Sequence, residues 1–136
     1  MDPKSAVTPK LIEYCSQMRT IVVCGFAKTG KIIIAEELSK QLNRHLIISD
    51  DYKIENREDF KRDVLYFYNN KIPIIVEGIL CFDLLRKGIQ NNNFNPDLII
   101  KTNCNESTIR HFYEKSGEGN KVDRVFKFNK SLNTIW

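Results

Sequence analysis

The stretch Arg19-Thr20-Ile21-Val22-Val23-Cys24-Gly25-Phe26-Ala27-Lys28-Thr29-Gly30-Lys31 decides how this chain is read. It opens with a compact run of β-branched residues that stops at a glycine, as a parallel strand buried on both faces does. A short loop between Gly25 and Gly30 follows. Over residues 32–42, Ile34, Leu38 and Leu42 then recur on one face while Glu36, Glu37 and Lys40 lie elsewhere, which predicts a helix. Strand, loop and helix in immediate succession are the start of an α/β unit.

The same alternation continues downstream. His45-Leu46-Ile47-Ile48-Ser49 reads as a second strand closed by Asp50 and Asp51, and residues 56–69 read as a helix carrying Phe60, Val64 and Phe67 at helical spacing. Pro73-Ile74-Ile75-Val76 predicts a third strand ending at Glu77 and Gly78. A short helical stretch over 82–87 and a polar loop at Asn91, Asn92 and Asn93 come next. Asp97-Leu98-Ile99-Ile100-Lys101 predicts a fourth strand, and Asn105 caps a helix bearing Ile109, Phe112 and Tyr113. Residues 122–136 read either as one last helix, through Val122, Val125, Phe126 and Ile135, or as a fifth strand over 132–136.

Upstream, Thr8 and Pro9 supply an N-cap and a first-turn proline, and Leu11, Cys15 and Met18 recur at i, i+4 and i+7. Residues 1–18 are therefore expected to form an N-terminal extension with one amphipathic helix, and residues 19–136 a single domain. Alternating strands and helices imply a three-layer, doubly wound parallel sheet of four to five strands, because parallel neighbours need right-handed helical crossovers. Ligands bind such sheets beyond the carboxyl ends of the strands.

Composition narrows the function classes. With 136 residues, 42% of them hydrophobic and 28% charged, the chain has the make-up of one globular domain rather than a disordered or fibrous segment. Its apolar runs, such as those at 32–35 and 72–76, fall far short of the ~18 residues that cross a bilayer. Lys and Arg number 21 against 17 Asp and Glu, and this mild +4 balance suits an anionic small ligand better than nucleic acid. Cys15, Cys24, Cys81 and Cys104 stand far apart, with neither a C-x-x-C pair nor His45 or His111 at ligand spacing, so reduced core thiols are expected rather than zinc. Met1-Asp2-Pro3-Lys4-Ser5 lacks the basic start and apolar stretch of a secretion signal, and a cytoplasmic protein is expected.

Gly25-Phe26-Ala27-Lys28-Thr29-Gly30-Lys31 has the G-x-x-x-x-G-K core of a phosphate-binding loop, in the place where such a loop belongs. Glycines at its ends let successive N–H groups and the helix N-terminus point at one anion, and Lys31 would reach the β and γ phosphates of a nucleotide. One position departs from the pattern. The residue after the lysine should carry a hydroxyl for Mg²⁺, and Ile32 has no oxygen. Asp50, Asp51 and Glu77 are the carboxylates that would hold magnesium instead, directly or through water.

The segments around this loop resemble uridine kinases and related P-loop nucleoside kinases. Ile48-Ser49-Asp50-Asp51-Tyr52 is similar to the segment after that family's second strand, Ile74-Ile75-Val76-Glu77-Gly78-Ile79-Leu80 to its third strand and turn, and Asp97-Leu98-Ile99-Ile100-Lys101-Thr102 to its fourth. The likeness runs over residues 19–124. It implies a P-loop NTPase fold, ATP and Mg²⁺ as cofactors, and transfer of the γ-phosphate to a hydroxyl of a nucleoside-like substrate. It further implies Gly25, Phe26, Ala27, Lys28, Thr29, Gly30, Lys31 and Ile32 around the nucleotide, and Lys31, Asp50, Asp51 and Arg110 in catalysis, with Asp50 or Asp51 the general base. Asp51, Tyr52, Glu77 and Arg124 would contact the substrate, and Asp50 and Glu77 the metal. Arg110 and Arg124 fall in a lid-like segment over 110–124.

Two other readings stand beside this one: a nucleotide-binding module that lost catalysis with its magnesium hydroxyl, and a polynucleotide 5′-kinase, which the dispersed charge disfavours. Tyr52, Phe60, Tyr66 and Tyr68 offer a base-stacking platform or, at helical spacing, simply core.

Overall fold

The computed structural model describes residues 7–25, 30–52, 54–78 and 80–102. The expected last helix or fifth strand over 122–136, the helix of Ile109, Phe112 and Tyr113, the lid-like segment, and Cys104 all lie outside them.

Helix α1 (Pro9–Ser16) begins as its sequence dictates: Thr8 is extended, its Oγ1 accepts the Leu11 N–H at 3.2 Å, and Pro9 occupies the first turn. Cys15 is its buried residue, while Met18 lies past the helix end and packs against the core from there. Strand β1 (Thr20–Gly25) is buried along its whole length. Helix α2 (Lys31–Leu42) buries Ile34, Ala35 and Leu38 and stops at Asn43, a left-handed residue with φ 52°.

Strand β2 (His45–Ile48) is one residue shorter than expected. Ser49 leaves the ladder for a 3₁₀ turn, Ser49–Asp51, closed by the Tyr52 N–H donating to the Ser49 carbonyl at 3.1 Å. A second 3₁₀ turn, Ile54–Asn56, leads into helix α3 (Arg57–Asn69) with Phe60 and Val64 buried. Strand β3 is Ile74–Glu77 rather than starting at Pro73, because a proline has no N–H for the ladder; the Ile74 N–H makes the first bond, to the Arg19 carbonyl at 3.0 Å.

Helix α4 (Cys81–Asn91) is nearly twice the length read from 82–87 and absorbs Asn91 from the predicted loop. Gly88 does not end it. A Cβ there would stand 2.6 Å from Phe94 Cβ, so the glycine is where the returning chain packs onto the helix. Strand β4 (Leu98–Thr102) begins one residue later than expected, since Asp97 is engaged in holding β1.

The four strands are parallel and run in the order β2-β3-β1-β4. The chain crosses the sheet one way from β1 to β2 and the other way from β2 to β3 and from β3 to β4, so right-handed crossovers place α2 on one face and α3 and α4 on the opposite one. Strand alternation agrees. Ile21, Val23, Ile75, Leu98 and Ile100 pack with α1 and α2, whereas Val22, Cys24, Ile47, Ile74 and Val76 pack with α3 and α4. The result is an α/β fold with helices on both sides of a parallel sheet.

The amino ends of the strands are tied together. Asp97 Oδ2 accepts the N–H groups of Arg19 and Thr20, each at 2.9 Å. Arg44 Nη1 donates to the Met18 carbonyl and Nη2 to the Ser16 carbonyl at 3.1 Å, pinning the end of α1 to the start of β2.

Candidate functional site

Because α2 leaves β1 toward one face and α4 leaves β3 toward the other, the carboxyl ends of these two neighbours form a topological switch point, where sheets of this kind bind ligands in a crevice. Gly25 ends β1 on one side of it. Gly30 opens α2 in a left-handed conformation, φ 84°, which favours glycine. Having no side chain, Gly30 leaves the first-turn N–H groups of α2 without a side-chain cap, and α2 has no acidic residue in its first turn. By contrast, α1 has Thr8 as its cap and α3 has Glu58 and Asp59 in its first turn. Lys31 starts α2 half-buried, and Ile32 beside it is 39% exposed. Phe26, Ala27, Lys28 and Thr29 lie outside the described residues, as do Arg110 and Arg124.

Glu77 stands on the other side of the crevice. It closes β3 in register with Val23, and the next residue donates its N–H to the Val23 carbonyl at 3.3 Å. It is only 1% exposed, and Oε2 has no hydrogen-bond partner among the described residues. An orphaned buried acceptor costs ~1–3 kcal/mol, and more when charged. Burial pushes the Glu77 carboxyl up to about 7; the Lys31 cation opposes this, while Asp50, Glu36 and Asp51 add to it. Lys31, Asp50 and Asp51 are thus all within electrostatic reach of one buried carboxyl.

Asp50 and Asp51 sit in the turn after β2, both exposed. Ser49, which starts that turn, is 1% exposed, and its Oγ is the second buried side-chain atom without a partner among the described residues. It lies against Gly78, where an added Cβ would come within 1.7 Å of Ser49 Oγ and where φ is +129°. The E-G pair is therefore fixed twice, by conformation and by space.

The aromatic residues do not gather into one platform. Phe60 is core, Tyr68 leans on Phe94 with ring centroids 5.0 Å apart, and Tyr66 is 60% exposed. Tyr52 meets Phe60 edge-on at 5.5 Å and donates a hydrogen bond from its hydroxyl to Asp63 Oδ2 at 2.6 Å, so its polar end points to α3. Ser49 and Asp63 were not legible as site-region residues. A lone Ser at a strand end carries no signal, and nothing in the spacing pairs Tyr52 with a residue on the next helix.

Cys15, Cys24 and Cys81 are buried and not joined in disulfides, and burial pushes the thiols of Cys15 and Cys81 upward, away from the reactive thiolate. No three His, Cys, Asp or Glu side chains converge into a metal cluster among the described residues. Magnesium arriving with a nucleotide needs less, one or two carboxylates plus phosphate oxygens and water. The orphaned Glu77 Oε2 and the nearby Asp50 fit that donor set, and Ile32 contributes nothing to it. No helix among the described residues is long and apolar enough to cross a membrane.

Compared with known proteins, the chain matches no protein-family model and no curated protein.

Proposed function

We propose that this chain is an ATP-dependent phosphotransferase of the nucleoside-kinase type, with a P-loop NTPase fold, moving the γ-phosphate of ATP to a hydroxyl of a small substrate. The observation that carries the reading is Gly30-Lys31 opening α2 directly beyond the central strand, across a crevice from the buried Glu77 carboxyl. The helix dipole at the start of α2, where Gly30 offers no side-chain cap, favours phosphate oxygens, and Lys31 adds a cation whose field reaches as far as Glu77.

The acceptor hydroxyl attacks the γ-phosphorus, its proton passes to Asp50 or Asp51, and ADP leaves with the electrons of the broken P–O bond. These two carboxylates are exposed and so reachable by a substrate. Glu77 and Asp50 would hold magnesium or its water, and the metal would supply neutralisation of phosphate charge. By resemblance, Arg110 and Arg124 would complete the cationic surroundings.

Ile32 supports a second reading, a nucleotide-binding module without turnover, because it offers no ligand where a hydroxyl is expected. One experiment separates the two. ATP is titrated with and without Mg²⁺, and labelled γ-phosphate transfer is then followed across a panel of nucleosides. Transfer abolished by Lys31→Ala supports the kinase; ATP binding with a silent panel supports the module; no ATP binding refutes both. A polynucleotide acceptor would instead show binding that weakens steeply with salt.

A further inference from the structure

The turn bearing Asp50 and Asp51 is exposed and carries two adjacent like charges, which by themselves favour a spread of conformations. It is nevertheless held from three sides. Tyr52 N–H closes it on the Ser49 carbonyl at 3.1 Å, Ser49 is seated against Gly78, and the Tyr52 hydroxyl reaches Asp63 Oδ2 at 2.6 Å. The Asp63 anchor is firm because its neighbour Val64 and the nearby Phe60 are both buried in the core beneath α3. A phenol-to-carboxylate bond of this length belongs to the stronger, charge-assisted kind. A phenol keeps its proton throughout the neutral range, so the Tyr52 hydroxyl remains a donor to Asp63. The Arg62 guanidinium near Asp63 is 73% exposed at 3.8 Å and competes little.

We infer that Asp63 is a positioning residue: acting through the Tyr52 hydroxyl, it fixes the direction in which Asp50 and Asp51 present their carboxylates to the acceptor. The inference rests on the phosphotransferase reading, and Asp63 itself touches neither nucleotide nor acceptor. Misplacing a catalytic group by about 1 Å costs on the order of 100-fold in rate, so a loosened turn should act on transfer far more than on nucleotide binding.

The test uses the full chain and the variants Asp63→Ala, Asp63→Asn, Tyr52→Phe and Tyr52→Phe/Asp63→Ala. Asp63→Ala and Tyr52→Phe should each lower kcat/KM for the acceptor by about 10- to 100-fold while ATP affinity stays within about 2-fold. The double variant should be no worse than either single one, and Asp63→Asn, whose amide oxygen still accepts from the phenol, should recover most of the loss. Amide exchange at Tyr52 should quicken in Asp63→Ala while the Ile34 amide, bonded to the Gly30 carbonyl, holds its rate. Unchanged exchange at Tyr52 overturns the inference whether or not the chain transfers phosphate. Additive losses, or loss of ATP and acceptor together in step with thermal stability, also overturn it. A wild-type chain that transfers nothing, yet shows the exchange response, sinks only the phosphotransferase reading.

Discussion

Replacing Glu77 by Gln should make the protein more stable above neutral pH and, on the phosphotransferase reading, less able to transfer phosphate. The folded state raises the Glu77 carboxyl from its ordinary 4.5 to about 7, chiefly by burial. Between those values the folded chain keeps a proton that the unfolded chain has released, so stability falls as pH rises through the interval and levels off above it. At ~1.36 kcal/mol per pH unit, the interval is worth ~3 kcal/mol, and with the residue only 1% exposed little of that is lost to solvent screening. The substituted amide keeps the shape of the carboxyl and cannot ionise. Urea unfolding followed by far-ultraviolet circular dichroism at pH 5, 6, 7 and 8, without nucleotide, should show the two proteins converging at pH 5, with the variant ahead by up to ~3 kcal/mol at pH 8. Parallel pH profiles, or a variant less stable at pH 8, would refute the assignment of Glu77 as a buried carboxyl stabilised in its neutral form. The same variant should lose magnesium-dependent transfer, since an amide is a poor ligand for this cation.

Lys31→Met removes a cation that lowers the Glu77 carboxyl and should move the pH midpoint of that stability change upward, read from the same unfolding series. Ile32→Ser should raise Mg²⁺-dependent ATP affinity or turnover; Ile32 is 39% exposed, so the change removes little packing, and an unaltered titration removes Ile32 as the lesion. Gly78→Ala, forced to place a Cβ 1.7 Å from Ser49 Oγ at φ +129°, should cost ~2–4 kcal/mol in denaturant unfolding, with partial recovery on adding Ser49→Gly. Asp97→Ala strips an acceptor from two backbone N–H groups and should cost ~2–3 kcal/mol with ATP affinity preserved, checked by unfolding and titration together.

Much of the architecture was written in hydrophobic periodicity. β1 reads as buried on both faces because Ile21, Val22, Val23 and Cys24 feed two opposite cores, and α1 reads from Thr8 and Pro9 because capping is a local interaction. Order across the sheet is not local: crossover handedness constrains it, but no single segment states that β3 lies between β2 and β1. The full length of α4 is hidden for a related reason: only the tertiary approach of Phe94 shows Gly88 to be an interior helix residue. At the site, Gly30, Lys31, Asp50, Asp51 and Glu77 were legible from spacing and resemblance. The orphaned state of Glu77 and the tether from Tyr52 to Asp63 arise from burial and from contacts between elements, which sequence spacing does not encode.

The two ends of the sheet hold different kinds of polar residue. At the amino ends, Asp97 and Arg44 spend their hydrogen bonds on backbone groups; at the carboxyl ends, Ser49 and Glu77 have buried atoms left without partners among the described residues. A saturation mutagenesis screen should therefore split by pole. On the phosphotransferase reading, damage at Asp97 or Arg44 would surface as lost abundance with normal specific activity, whereas changes at Glu77 would surface as abundant, inert protein. Selection for yield alone would drift toward the second outcome, accumulating well-folded chains that have traded away their chemistry.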